Sequence, residues 1–250
     1  QGATLDPLAF DLRPESVAHT GWRILHLIAQ AAAPGARRRA TVEQTLANAW
    51  RLDAASADIL RAALILCADH ELNVSAFTAR CVASAGSNPY AVVTAGLAAL
   101  EGIRHGGSGA RVEAMFEAIR HSRRIATALG DRLRRGDRID GLGHPLYRGG
   151  DPRATELLAL LRERHGKSPE LAFVLRVADE ATALMREHPN VDFALAAVAR
   201  VLKLPAGAPL ALFAIGRTIG WIGQAIEQYA TGQLIRPRAK YVGVVPAAGE

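Results

Sequence analysis

Four helix-start signals constrain the fold of this chain more than any other feature. Asn88-Pro89, Asp151-Pro152, Ser168-Pro169 and Ala208-Pro209 each stand at the head of a long apolar-rich segment. Proline at the first helical position loses nothing by lacking an N–H, and a preceding Asn, Asp or Ser accepts a free N–H of the first turn. Asn190 reads as a cap for "VDFALAAVARVLKL", and Thr41 with Gln44 has capping-box spacing before "TLANAW". Ser56 precedes "ADILRAALILC", where Ile59, Leu60, Ala63, Leu64 and Cys67 share one helical face. The helix opened by Pro89 should run to Gly102, and the last helix should close near Gly232. No convincing period-2 run suggests a strand. Aromatic residues make up only 5% of the chain, so Ala and aliphatic side chains must do most of the packing. These features predict an all-α fold.

A chain of 250 residues can form one large domain or two smaller ones. Turns bearing Gly or Pro flank residues 106–203, which predicts a smaller helical unit inserted into a large one built from 1–105 and 204–250. Cys67 and Cys81 form neither a CxxC pair nor a disulfide framework, which fits a reducing, cytoplasmic setting. The longest apolar stretch, Pro205 to Gly216, is too short for a membrane span of roughly 20 residues. A net charge of +6 suits an anionic small molecule or nucleic acid, but no helix carries a basic stripe that could read bases. There is no P-loop, no G-x-S-x-G turn and no helical metal-ligand spacing around His70. A nucleic-acid partner, a membrane and a bound metal are therefore not expected.

Four stretches place polar groups where a helix surface would not. These are "CADHELNVSAF" with His70, "EGIRHGGSG" with His105, "GLGHPLYRGGDPR" with His144, Arg148 and Arg153, and "HPNVDF" with Asp192. Glycines such as Gly141 and Gly143 permit φ > 0 or a close approach of backbone to a ligand. A His and an Asp held apart can divide acid and base work, and arginine's planar fork matches a carboxylate. Arg217 lies inside the apolar "LFAIGRTIGWIG", where an unpaired guanidinium is costly. Its partner is either a structural carboxylate or the carboxylate of a ligand.

In this order the stretches resemble the citrate synthase family. The resemblance rests on "ADHELNVSAFTAR", "RHGG", "GLGHPLYRGGDPRA", "NVDFALAAV" and "LFAIGRTIGWIGQAIEQ", followed by "LIRPRAKYVG", and runs from about Ala62 to Gly243. It implies a citrate synthase-like fold with a large and a small helical domain, a homodimer, and condensation of acetyl-CoA with oxaloacetate to citrate and CoA. Acetyl-CoA is then a substrate, and no cofactor is required. Asp192 resembles the base that takes a methyl proton, His105 the donor to the thioester oxygen, and His144 the group that polarises the oxaloacetate carbonyl. His70, Arg153 and Arg217 resemble oxaloacetate contacts, and Arg236 resembles an arginine delivered across the dimer. Arg148, Gly141 and Gly143 are implied at the CoA side.

The sequence departs from the family pattern in three places. Little before about Ala62 matches clearly. "RHGGSG" replaces the commoner "LHGGAN", and the cation of Arg104 is expected to disfavour protonation of His105. Cys67 stands where a second His is common. The same residues would serve a 2-methylcitrate synthase or a citryl-CoA lyase. A non-catalytic regulatory protein that binds acyl-CoA or a dicarboxylate is the reading of a different class.

Overall fold

The computed structural model describes residues 2–244. Its regular structure there is helical: α1 (Pro14–Ala32), α2 (Val42–Ala49), α3 (Ala54–Cys67), α4 (Val74–Ser84), α5 (Pro89–Leu100), α6 (Ser108–Ile119), α7 (Ile125–Arg134), α8 (Pro152–His165), α9 (Pro169–Met185), α10 (Val191–Val201) and α11 (Ala208–Thr231), preceded by one 3₁₀ turn (Ala3–Leu5). No strand occurs among the described residues, and Leu142 and Pro189 form a single isolated bridge.

Most of the caps follow from the sequence. Asn88 accepts from the N–H of Ala91, Asp151 from Arg153, Ser168 from Leu171, and Asn190 from both Asp192 and Phe193. Thr41 stands at the N-cap of α2, but the expected cap bond is absent, and the Thr45 hydroxyl instead donates to the Thr41 carbonyl at 2.9 Å. Asp53, not Ser56, caps α3, because its carboxylate accepts from the N–H of Ser56 at 2.8 Å. That helix therefore starts earlier than its apolar face suggests. α5 ends at Leu100 rather than Gly102.

α11 is the pillar of the fold and packs against α1, α3, α4 and α5. Trp221 on α11 is fully buried, and a Cβ at Gly96 of α5 would lie 2.6 Å from its ring. Burying an indole is worth on the order of 4 kcal/mol, so the missing side chain at 96 makes room for a major core residue. Glycines of α11 bring it equally close to α3. A Cβ at Gly216 would stand 2.6 Å from the Leu64 carbonyl, and one at Gly220 would collide with the Ala68 carbonyl. This approach sets Arg217 against the end of α3.

A second packing centre surrounds α10, which contacts α6, α8, α9 and α11. Phe116, Phe173 and Phe193 meet there edge to face, with Phe116 and Phe193 centroids 5.1 Å apart. α8 also contacts α3, and α10 contacts α11, so the ends of these helices converge at one place.

Candidate active site

At that convergence lies a cavity of about 160 Å³ lined by His70, Asn73, His105, Gly106, His144, Arg153, Asn190, Val191, Asp192, Phe213 and Arg217. Asn73 caps α4, Arg153 lies in the first turn of α8, and Asn190 and Asp192 open α10. Helix N-termini carry partial positive charge, so their clustering favours an anion. The cavity brings together six of the residues singled out from the sequence: His70, His105, His144, Arg153, Asp192 and Arg217. Arg148 is exposed on the turn after His144, and Arg236 is exposed beyond α11, outside this cavity.

Arg217 is fully buried. Its Nε donates to the Cys67 carbonyl at 2.7 Å, and its guanidinium carbon lies 4.9 Å from the Phe213 ring centroid. Nη1 and Nη2 have no hydrogen-bond partner. Of the two partners open to Arg217 on sequence grounds, the fold supplies no structural carboxylate among the described residues. Two orphaned donors at a cavity wall fit a bound carboxylate.

Arg153 is different. Its Nε and Nη2 donate to Asp151 at 2.9 and 2.7 Å, and both residues are buried. The same carboxylate accepts from the N–H of Val191 at 3.0 Å, which ties the start of α8 to the start of α10. Burial opposes the Asp151 charge, but the Arg153 hydrogen bonds and charge hold its carboxyl below the usual range. Asp151 is thus more than the cap read from its place before proline.

Burial pushes the Asp192 carboxyl up to about 6, with a Ser108 hydrogen bond and the charges of Arg153 and Arg111 pulling the other way. The histidines lining the cavity are all shifted toward the neutral form. For His105 the cause is burial and then Arg217, for His70 burial and then Arg153, and for His144 likewise burial and then Arg153. The expectation that Arg104 acts on His105 is not met. Arg104 is exposed, and the cation that His105 feels is Arg217.

Each histidine is also oriented. The N–H of Leu146 donates to His144 Nδ1 at 3.2 Å, which puts the proton of a neutral ring on Nε2. His105 Nε2 lies 2.9 Å from the Ser75 hydroxyl, which accepts from Trp221 Nε1 at 3.2 Å. His70 Nε2 lies 2.9 Å from the Tyr147 hydroxyl, and the Tyr147 ring packs against His144 with centroids 4.9 Å apart. Ser75, Phe213 and Tyr147 carry no signal in the sequence beyond their proximity to recognisable motifs.

The turn glycines have a local explanation. Gly141 has φ +84°, and a Cβ there would meet Val112 and Phe193 within 3 Å. Gly143 has φ +72°, and a Cβ there would run into the Glu187 carboxylate at 2.8 Å. Gly141 thus seats the turn against α6 and α10, and Gly143 seats it against the loop that follows α9. Cys67 is a free, buried thiol pushed up to about 12 by burial, and its carbonyl rather than its sulfur serves the site.

Residues 17–238 match the family model described as citrate synthase, C-terminal domain. The chain belongs to the citrate synthase family. Citrate synthase 2 of Bacillus subtilis is 38% identical over 184 residues, covering 72% of this chain and 50% of that protein. 2-Methylcitrate synthase 2 of Corynebacterium glutamicum is 33% identical, covering 72% and 48%. The chain thus spans about half the length of these curated relatives. Among solved structures, the citrate synthase of Thermoplasma acidophilum, in ternary complex with carboxymethyl coenzyme A and oxaloacetate, superposes with a TM-score of 0.77 at 28% identity. That match covers 92% of this chain and 66% of the other. The citryl-CoA lyase of Hydrogenobacter thermophilus gives 0.71 at 25% identity, covering 83% and 86%. The all-α architecture is the fold of the family. No helix of the described residues is long and apolar enough to cross a membrane.

Proposed function

We propose that this chain carries the active site of a citrate synthase-type enzyme, which condenses acetyl-CoA with oxaloacetate and hydrolyses the resulting thioester to citrate and CoA. The observation that carries the reading is Arg217, a fully buried guanidinium with two unpartnered nitrogens on the wall of a cavity that also holds Asp192 and three histidines. An α-keto dicarboxylate supplies the carboxylate that this guanidinium lacks. Arg153 adds a second cationic face, with its charge shared with Asp151.

Asp192 takes a proton from the methyl group of the acyl thioester. A thioester α-proton is weakly acidic, so the oxygen where charge develops must be stabilised in the same step. His105 serves there as a neutral donor. Donation from Nδ1 requires the Ser75 hydroxyl to turn its hydrogen from Asn73 Oδ1, 3.0 Å away, to His105 Nε2 at 2.9 Å. The enol carbon attacks the oxaloacetate carbonyl, polarised by the Nε2 proton of His144. Water then cleaves the thioester. Arg148, exposed beside this turn, is assigned to a CoA phosphate, with the backbone at Gly141 and Gly143 beside it. Arg236 is assigned to the partner site of a homodimer.

The Corynebacterium relative makes propionyl-CoA a second acyl donor to test. Likeness to a citryl-CoA lyase, 86% of whose chain is matched, supports cleavage of citryl-CoA as the second reading, because the same residues catalyse both directions. Free CoA is to be followed with a thiol reagent in the presence of oxaloacetate and acetyl- or propionyl-CoA, against a control without substrate. Release should require both substrates and fall roughly 10²–10⁴-fold in Asp192→Asn with the fold intact. Conversion of citryl-CoA to acetyl-CoA and oxaloacetate without release of free CoA would select the lyase. Undiminished turnover by Asp192→Asn would remove it as the base.

A further inference from the structure

His105 and His144 sit on separate irregular segments, yet the proposed reaction needs them at a fixed separation. The His105 turn closes on itself through His105 N–H to Gly102 O at 2.8 Å and Gly106 N–H to Leu100 O at 2.9 Å. The His144 segment is held on its far side. Gly143 N–H donates to His188 O at 2.8 Å, Asn190 N–H to Gly141 O at 2.9 Å, and Asn190 Nδ2 to Gly143 O at 3.0 Å. None of these bonds joins the two segments to each other.

One side chain does. Arg111 lies in the first turn of α6, where side chains point back toward the helix N-terminus. Its Nη1 donates to the carbonyl of Ile103, two residues before His105, at 2.9 Å. Its Nε donates to the carboxylate of Asp140, four residues before His144, at 2.8 Å. Asp140 is buried. Among the described residues, no other hydrogen bond joins residues 101–107 to residues 136–151.

We infer that Arg111 is a positioning residue that braces the His105 turn against the His144 segment through Ile103 O and Asp140. The rigid planar guanidinium fixes the directions of its Nε and Nη1 donors to the two acceptors, a geometry that an ammonium group cannot reproduce. The inference rests on the condensing-enzyme reading for its consequence, but not for its physical content. Arg111 touches no lining residue of the cavity through a hydrogen bond, but its charge also lowers the Asp192 carboxyl, so its placing of the two histidines is read from exchange and from kcat on the alkaline plateau, where Asp192 is ionised in either protein.

Hydrogen–deuterium exchange of the full chain tests the brace without reference to turnover. Arg111→Met should speed exchange in peptides covering both 101–107 and 138–146, with α1 and α3 unchanged. Asp140→Ala should speed exchange as well, and the double variant should be no worse than Arg111→Met, which already removes both contacts. In the thiol-release assay, Arg111→Met should lower kcat about 10- to 100-fold, the scale expected for misplacing reacting groups by about 1 Å. KM for oxaloacetate should stay within about threefold, because Arg153 and Arg217 are untouched. Arg111→Lys should recover only part of the loss. Unchanged exchange at either segment, or a rise shared equally by α1 and α3, would overturn the inference. So would full kcat in Arg111→Met. A wild-type protein inactive with every acyl-CoA would defeat the functional reading alone and leave the exchange result to decide the brace.

Discussion

At Asp192, burial and hydrogen bonding pull in opposite directions. Burial raises the carboxyl to about 6, and the Ser108 hydroxyl, which stabilises the ionised form, opposes the rise. Ser108 stands where the family pattern commonly has Ala, so this chain adds a donor to the base. Turnover that needs ionised Asp192 should fall on the acid side with an apparent pKa near 6. Ser108→Ala removes a group that favours the charge, so the acid limb should move to higher pH, with the plateau at alkaline pH little altered. A kcat–pH profile of both proteins checks this, and a limb that stays put or moves down would remove Ser108 as a partner of the base. Arg104 shows how far a local sequence can mislead at this scale. Its adjacency to His105 invites an electrostatic role, but adjacent side chains at a turn need not face the same way, and the cation that matters is Arg217, more than a hundred positions later.

The motif "IGRTIGWIG" shows what is legible at the scale of elements and what is not. Its periodicity and the Ala208-Pro209 start predict α11 well, because both depend on local backbone preferences. The three glycines look equivalent in the sequence. In the fold, Gly220 abuts the Ala68 carbonyl and Gly216 the Leu64 carbonyl, whereas a Cβ at Gly223 meets nothing within 4 Å. The difference is tertiary and has no local signature. Gly220→Ala should therefore destabilise the protein by about 2 kcal/mol or more, since one of two backbones must move. Gly223→Ala should stabilise it by about 0.5–1 kcal/mol through helix propensity. Chemical denaturation of the two variants separates them, and equal effects would refute the close α3–α11 contact. The same logic explains the caps. Asn88, Ser168 and Asn190 act within their own helices and were readable, and the capping-box spacing placed Thr41 at the N-cap of α2 although its side chain makes no cap bond, whereas the apolar face after Ser56 did not show that α3 begins earlier, behind Asp53. Asp151 was legible as a cap, but its grip on Val191, forty residues away, was not.

For the whole molecule, the open question is how the site is completed. The dianion of the proposed reaction would meet one unpaired arginine, Arg217, and Arg153, whose charge Asp151 offsets. Arg236 is exposed on the segment that leaves α11 at Gly232, and that segment is pinned to α4 by the Ile235 N–H donating to the Ser84 hydroxyl at 3.0 Å. The pinning holds Arg236 away from its own chain's cavity, in keeping with the proposal that it serves the other subunit of a homodimer. Subunit mixing tests this directly. Arg236→Ala and Asp192→Asn should each be nearly inactive. In a heterodimer of the two, one site receives both defects and the other receives neither if the arginine crosses. Statistical reassortment of equal amounts should then restore activity to about a quarter of the wild-type level, because half the dimers carry one intact site of two. If Arg236 instead acted within its own chain, every site in every dimer would carry one defect, and mixing would restore nothing.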